Sequence, residues 1–358
     1  MLPVDPRLIC HHRFLSETVI MDIETPPIAV YRVEELWFDD GNIVLQAGSA
    51  QYRVFRGILA RNSAVFQDML SFPQPPNEEL VDGCPLVYLP DNEVEVTPFL
   101  KALFIPGFFP PFPARTSFVN IYGCLRLAHK YAVDGLRRTA LVHFSSWFRT
   151  SLREWEVTEY EEERSERSPA AVATWSFPDD LSLIACAHLA REVDARWTLP
   201  NIFYVLGSRL RECGTDVFHG TTSDGITSRL GLGDQKRFLS GFLRQTQATW
   251  DVAAFMHTSP HISSSCLHPS RCSAAIILAA SQSFPDCRDW HASPLGFWVD
   301  DDWKRYGDLC GTCLATLKAE FQDSRQRFWD QLPEMYGLPP WTQLEEMKEA
   351  AIGRDMLI

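Results

Sequence analysis

The residues best suited to chemistry in this 358-residue chain are four cysteines in its C-terminal third. Cys266 and Cys272 are separated by five residues, and Cys310 and Cys313 form a C-x-x-C motif further along. Two cysteine pairs from separate segments can supply four thiolates to a tetrahedral zinc ion, which is the closed arrangement of a structural site. The spacing of the second pair is typical of such sites, and that of the first pair is longer than usual. The sequence therefore predicts a structural zinc site at these four residues.

Two other interpretations of the same cysteines stay open at this stage. Free cysteine is often fully buried as a small hydrophobic residue, and a C-x-x-C motif can carry out redox chemistry. The residues that flank Cys310 and Cys313 show no βαβ pattern, which disfavours the redox interpretation. His261 or His268 could replace one cysteine as a ligand, and Cys287 with His291 forms a further candidate pair.

The sequence lacks the motifs of the common enzyme classes. It contains no G-x-S-x-G elbow, no G-x-x-x-x-G-K phosphate loop, no H-E-x-x-H and no G-x-G-x-x-G. Asp300, Asp301 and Asp302 could chelate a divalent cation, but three consecutive carboxylates cannot all point the same way, so a solvated loop is favoured. We therefore expect a non-enzymatic protein with no catalytic residues and no cofactor other than zinc.

Composition narrows the class of partner. The chain has a net charge of −13 and 46% hydrophobic residues, an ordinary globular balance with enough length for two or three domains. Nucleic acids and anionic membranes require a basic surface, so direct binding to either is not expected. The first residues lack the layout of a signal peptide, and no apolar run is long enough to span a bilayer. We expect an intracellular protein, in the cytoplasm or nucleus, whose ten cysteines are reduced.

The elements that must position these groups begin with a strand–turn–strand pattern. Ile43 to Leu45 is a short apolar run between turn residues, and Gln51 to Val54 alternates polar and apolar side chains, so both segments are predicted strands. Beyond Arg56 the apolar residues recur at helical spacing as far as Leu70, which predicts two short helices.

This stretch resembles the opening of a BTB/POZ domain, and the resemblance continues over residues 29–148. Cys84 to Pro90 resembles the third strand of that family, and Val94 to Phe104 resembles the following helix, for which Thr97-Pro98 is a good start. Phe118 to Phe144, centred on the run Leu-Ala-His-Lys-Tyr-Ala-Val at 127–133, resembles the closing helical pair. The resemblance implies an α+β fold in which a small sheet packs with helical hairpins.

The rest of the chain is predicted to be mainly helical. Helices are expected from Leu181, from Trp197, over 238–255, over 314–329 with a stop at Leu332-Pro333, and over 344–347. Residues 153–168 are expected to form a charged, solvated helix or linker, and residues 214–234 a loop. The sequence Trp-x-Leu-Pro-x-x-x-Tyr at 197–204 resembles a group of fungal, basidiomycete-type BTB-domain proteins. Since that group carries similar paired cysteines, the resemblance also favours zinc.

These patterns divide the chain into five parts. They are a flexible segment at 1–28, a BTB/POZ-like domain at 29–150, a helical extension at 151–258, a cysteine-containing segment at 259–348 and a tail at 349–358. The resemblance implies a protein–protein interaction module that forms a homodimer or docks protein partners, with a dimer surface formed by the helices from Ile58 to Leu70 and the preceding strand. Two alternatives are a substrate adaptor that binds a cullin-type ubiquitin ligase and a transcriptional co-regulator without direct DNA contact.

Overall fold

The computed structural model describes residues 29–72, 79–157, 175, 177, 179, 181–257, 262–283 and 292–353. The predictions for residues 1–28, for most of the charged linker, for His261 and for Cys287 with His291 lie outside these residues. The same holds for the last five residues of the predicted tail.

The N-terminal part is built on a five-stranded mixed sheet. Its strands are β1 (Tyr31–Trp37), β2 (Ile43–Ala47), β3 (Ala50–Val54), β4 (Leu80–Val81) and β5 (Cys84–Leu89). Their order is β1-β3-β2-β5-β4, with β2 antiparallel to β3 and parallel to β5, and β1 parallel to β3. The predictions of β2, β3 and β5 are confirmed, whereas β1 and β4 were not predicted.

The tight turn between β2 and β3 depends on two residues. Gly48 has a φ of +55°, a left-handed conformation that glycine adopts without strain. The Glu93 carboxylate then accepts hydrogen bonds from the Ser49 N–H and hydroxyl and from the Ala50 N–H, at 2.8–3.1 Å. This one carboxylate therefore satisfies the backbone donors of the turn, and it joins the sheet to the helix that begins at Glu93.

Five helices complete this part of the chain. They are α1 (Arg56–Asn62), α2 (Ala64–Ser71), α3 (Glu93–Phe104), α4 (Phe118–Lys130) and α5 (Asp134–Ser145). The prediction that Thr97-Pro98 begins α3 was wrong, because Asn92 caps the helix by accepting a hydrogen bond from the Val94 N–H at 2.9 Å. Thr97 instead bonds the Tyr52 hydroxyl at 2.8 Å, one turn inside the helix.

The C-terminal part is almost entirely helical. Its helices are α6 (Ser182–Glu192), α7 (Leu199–Ser208), α8 (Leu210–Cys213), α9 (Asp216–His219), α10 (Leu232–Val252), α11 (Ala254–His257), α12 (Pro269–Ser283), α13 (Gly311–Met335) and α14 (Trp341–Ile352), with 3-10 turns at Arg196–Thr198 and Asp300–Tyr306. The prediction of a small sheet followed by a mainly helical region is confirmed, and the protein is a mixed α/β structure. Among the described residues, no helix combines the length and the apolar character needed to cross a membrane.

Two predicted boundaries in this part were wrong. Residues 214–234 contain a hairpin, β6 (Thr221–Ser223) and β7 (Ile226–Ser228), whose turn residues Asp224 and Gly225 both have positive φ. An Asp-Gly pair is the preferred sequence for such a turn. Helix α13 also continues through Pro333, where a stop was expected. The carbonyl of Trp329, which Pro333 cannot bond because it has no N–H, accepts a hydrogen bond from the Trp341 indole at 2.7 Å instead.

The two parts share a core and several polar contacts. A single apolar cluster includes buried residues of α4 and α5 together with residues of α7, α10, α13 and α14. Arg126 on α4 pairs with Glu95 of α3 and with Glu192 of α6, the latter at 2.8 Å. Phe109 and Phe112, in the loop between α3 and α4, make T-shaped contacts with the ring of buried His143.

A candidate metal centre of four cysteines

The four predicted cysteines lie where the N-termini of two helices meet. Cys266 precedes α12, and Cys272 lies in the first turn of that helix. Cys310 immediately precedes α13, and Cys313 lies in its first turn. Because the N-terminus of a helix carries a partial positive charge, both helices favour the thiolate form of a nearby cysteine.

The distances between the sulfur atoms match those of a tetrahedral metal site. All four Sγ atoms lie within 4.8 Å of one another, and Cys266 lies 3.7 Å from both Cys272 and Cys310. A disulfide bond would bring two sulfurs to about 2.05 Å. Four sulfurs at about 2.3 Å from a central zinc ion would be about 3.8 Å from each other. The described cysteines are free thiols, and the four are spaced as metal ligands are.

Backbone N–H groups point at every sulfur of the centre. Cys272 accepts a hydrogen bond from the Cys310 N–H at 3.5 Å, and Cys310 accepts one from the Cys313 N–H. Cys266 and Cys313 accept hydrogen bonds from the backbone of His268 and Ser263 respectively. These donors stabilise negative charge on sulfur and orient the side chains, as the outer contacts of metal ligands do.

The four thiols differ in their surroundings. Cys272 and Cys313 are buried, whereas Cys266 and Cys310 are partly exposed. The hydroxyl of Thr312, at 3.1 Å from the sulfur, is the main cause that lowers the pKa of Cys310 to about 6. Burial raises the pKa of Cys313 to about 12 and also raises the pKa of Cys266. Among these shifts, only that of the Cys310 pKa favours the thiolate form.

The other candidate ligands are not part of this group. His268 is exposed and contributes its backbone rather than its imidazole. Asp301 pairs with Lys304 at 2.9 Å and Asp302 with Arg305 at 3.5 Å, on the surface of a 3-10 turn. Within the residues that the structure describes, the four cysteines form the one group of three or more potential ligand side chains close enough to share an ion.

Sequence reasoning did not identify the residues that support the centre. Thr312 lies between the two cysteines of the C-x-x-C motif, where its hydroxyl reaches Cys310. Ser263 is three residues before the first cysteine and supplies a backbone donor, a role that its side-chain type does not reveal. Helix α12, which positions Cys272, was also missed.

Comparison with models of protein families, with curated proteins and with solved structures found no match to this chain.

Proposed function

We propose that this protein is a non-enzymatic, BTB-type interaction protein that self-associates through the outer face of α1 and α2. The arrangement of its N-terminal part supports the proposal: a β2–β3 hairpin, two short helices, a strand parallel to β2, and then three longer helices. This is the order that the sequence resemblance to BTB domains implies. Such modules act through the surfaces of their helices, and the sequence contains none of the enzyme motifs named above.

The observation that carries the proposal is an apolar stripe, which we call the α1–α2 stripe, formed by Ile58, Val65 and Phe72. All three side chains are exposed, and Phe72, directly after α2, is 69% exposed. Val65 and Phe72 are seven residues apart and so lie on one face, with half-buried Met69 between them. A stripe of large apolar side chains on short helices is costly in water and is typical of a surface that pairs with a protein.

The exposed strand β1 supports the same proposal. It lies at one end of the sheet order, so its outer edge pairs with no strand among the described residues. Tyr31 at its start is also exposed. An open edge of this kind can accept a strand from a second chain.

We propose further that the cysteine centre binds one zinc ion and that this ion is structural. Four thiolate ligands complete a tetrahedral coordination shell and leave no position for a substrate or an activated water. The ligands join the start of α13, which runs through the core, to the loop and helix at 262–283. The ion would therefore stabilise the C-terminal half of the protein.

Sedimentation velocity of the full-length protein tests self-association. We expect wild-type protein to sediment as a dimer and a Val65→Asp/Phe72→Asp variant as a monomer, because each aspartate would lose its hydration in the interface. Ile277→Asp, which changes a 60% exposed apolar residue on α12, is the control and should remain a dimer. A monomeric wild-type protein, or a dimer that the double variant leaves intact, would contradict the proposal.

A further inference from the structure

Two of the eight cysteines that the structure describes are partly exposed, and the other six are buried. The exposed two are Cys266 and Cys310, and they are also neighbours, because their sulfur atoms lie 3.7 Å apart. Oxidation of a cysteine depends on access to its sulfur. Among the described cysteines, an oxidant in solution therefore has access first to two members of the metal centre that lie next to each other.

Cys266 and Cys310 are placed to form a disulfide bond. Their sulfurs, now 3.7 Å apart, would need to approach by about 1.7 Å to reach the length of an S–S bond. Cys266 lies in the loop before α12, and Cys310 lies directly before the first residue of α13. Neither side chain is part of a helical turn, so rotation of the two side chains can supply this movement. A second thiol beside the oxidised one is typical of redox-sensing cysteines.

Two other pairs within the centre are less accessible. Cys266 also lies 3.7 Å from Cys272, and the sulfurs of Cys310 and Cys313 are within 4.8 Å of each other. Each of these pairs contains one buried member, because Cys272 is 1% exposed and Cys313 is 0% exposed. Formation of a disulfide depends on access to the sulfur that is attacked. Exposure therefore favours the pair of Cys266 and Cys310.

We propose that the cysteine centre is a redox switch, in which a peroxide joins Cys266 to Cys310 and thereby releases the zinc ion. This inference rests on the proposed zinc site. It differs from the redox chemistry of a C-x-x-C motif, because the reacting sulfurs belong to two segments that are 44 residues apart. A thiol reductant together with zinc would restore the starting state.

The oxidation consists of two balanced steps. The Cys310 sulfur attacks one oxygen of hydrogen peroxide, so that an S–O bond forms, the O–O bond breaks and hydroxide leaves. The Cys266 sulfur then attacks the Cys310 sulfur of this sulfenic acid; the S–S bond forms, the S–O bond breaks and a second hydroxide leaves. The two thiolates lose two electrons, which the peroxide gains, and solvent protonates both hydroxides to water. Cys272 and Cys313 alone cannot complete the four-ligand shell of a structural zinc ion.

The disulfide would hold the start of α13 and release α12. Cys310 would stay joined to the loop at Cys266, whereas Cys272 is the one member of the centre within α12. Without the ion, α12 would lose its link through Cys272 to the other three cysteines. It would still contact the core through Ile276 and Ala279. We therefore expect local opening of α12 to increase in the oxidised protein, while the middle of α13 stays protected.

Peroxide treatment of the full-length protein tests the switch. Elemental analysis first measures the zinc content, and a colorimetric chelator then follows the zinc that hydrogen peroxide releases. We expect release in proportion to a disulfide between Cys266 and Cys310, identified by mass spectrometry of peptides after the remaining thiols are alkylated. Dithiothreitol and added zinc should restore the original zinc content. Hydrogen exchange in α12 should become at least tenfold faster on oxidation and should be unchanged in the middle of α13.

Two variants separate the pair from the other thiols. Cys84→Ala is the control, because Cys84, at 7%, is the most exposed of the six buried cysteines. This variant should release zinc at the wild-type rate and form the same disulfide. Cys266→Ala lacks the second thiol, so peroxide should leave Cys310 as a sulfenic acid that dimedone labels, whether or not the variant holds zinc.

Three results would overturn the switch and leave the zinc site in place. They are zinc that stays bound after peroxide has oxidised other thiols, release that accompanies a different disulfide, and release that accompanies sulfinic acid without any disulfide. A protein that contains no zinc before peroxide is added would overturn both proposals, so the first measurement distinguishes the two failures.

Discussion

Cys266 and Cys310 are 44 residues apart in the chain, yet their sulfur atoms lie 3.7 Å from each other. Bringing two such distant residues together costs conformational entropy, and a metal ion that binds both only in the folded chain would offset this cost. Each of the four sulfurs also accepts a backbone hydrogen bond, so the site is organised by the fold around it. Zinc binding and folding of the C-terminal half should therefore be coupled.

Replacement of one ligand should remove both zinc and stability. We expect Cys310→Ser to lose its zinc and to be destabilised by about 3 kcal/mol or more, as is usual when a bound metal is lost. Elemental analysis and thermal unfolding of the same samples measure the two effects. Cys186→Ala is the control, since Cys186 is fully buried and is not one of the four clustered cysteines: this variant should lose stability and keep its zinc. Full zinc retention in Cys310→Ser would rule out the site.

Two helical glycines should respond in opposite directions to replacement by alanine. A Cβ atom at Gly241 of α10 would lie 2.1 Å from the Tyr336 ring, whereas a Cβ atom at Gly135 of α5 would have no neighbour within 4 Å. Gly241→Ala should therefore cost about 2–4 kcal/mol through overpacking. Gly135→Ala should stabilise by about 0.5–1 kcal/mol, because alanine restricts the unfolded chain. Urea unfolding compares the two, and equal effects would show that α10 and Tyr336 are not in contact.

Buried His143 should make the protein less stable in mild acid. Burial lowers the pKa of His143 below its ordinary value of 6.5, and a ring nitrogen lies 2.9 Å from the Pro110 carbonyl. As pH falls below about 6.5, the unfolded chain takes up a proton that the folded chain does not, so the free energy of unfolding decreases. Between about pH 7.5 and 5.5 this histidine should therefore make the protein progressively less stable. Urea titrations of wild type and His143→Gln should show a smaller loss in the variant; identical losses would refute its role.

The indole of Trp341 should matter because Pro333 has no N–H. Trp341→Phe would leave the Trp329 carbonyl without its 2.7 Å hydrogen bond, which should cost about 1–3 kcal/mol for a buried acceptor. In a Pro333→Ala background the new N–H can bond the same carbonyl, so Trp341→Phe should cost about 1 kcal/mol less. A double-mutant cycle by urea unfolding measures this coupling. Additive effects would show that the two groups do not serve one acceptor.

Local patterns predicted much of the fold. The apolar run at Ile43 to Leu45 and the spacing from Ile58 to Leu70 are signals contained within a few residues, and both gave the observed elements. The stop at Pro333 failed because its compensation comes from Trp341, which follows in the next helix and contacts Trp329 only in the folded state. The pair Asp224-Gly225 is a recognisable turn sequence, but the residues around it are polar, so a loop was predicted instead of a hairpin.

The sequence identified the four cysteines that cluster, but not the residues and helices that bring them together. Residue type and the C-x-x-C spacing identified all four cysteines. Sequence could not show that α12 and α13 begin at the same place, because this depends on how both helices pack against the core. The sequence also could not predict that the backbone of Ser263 and His268 would bond the sulfurs, since almost any residue type can supply an N–H.

Native mass spectrometry of the full-length protein tests the central claim most directly, because one spectrum reports both subunit number and bound metal. We expect a dimer that carries one zinc ion per chain, and we expect Val65→Asp/Phe72→Asp to give a monomer that retains its zinc. A metal-free monomer from wild-type protein, purified without chelators, would contradict both the proposed self-association and the proposed zinc centre.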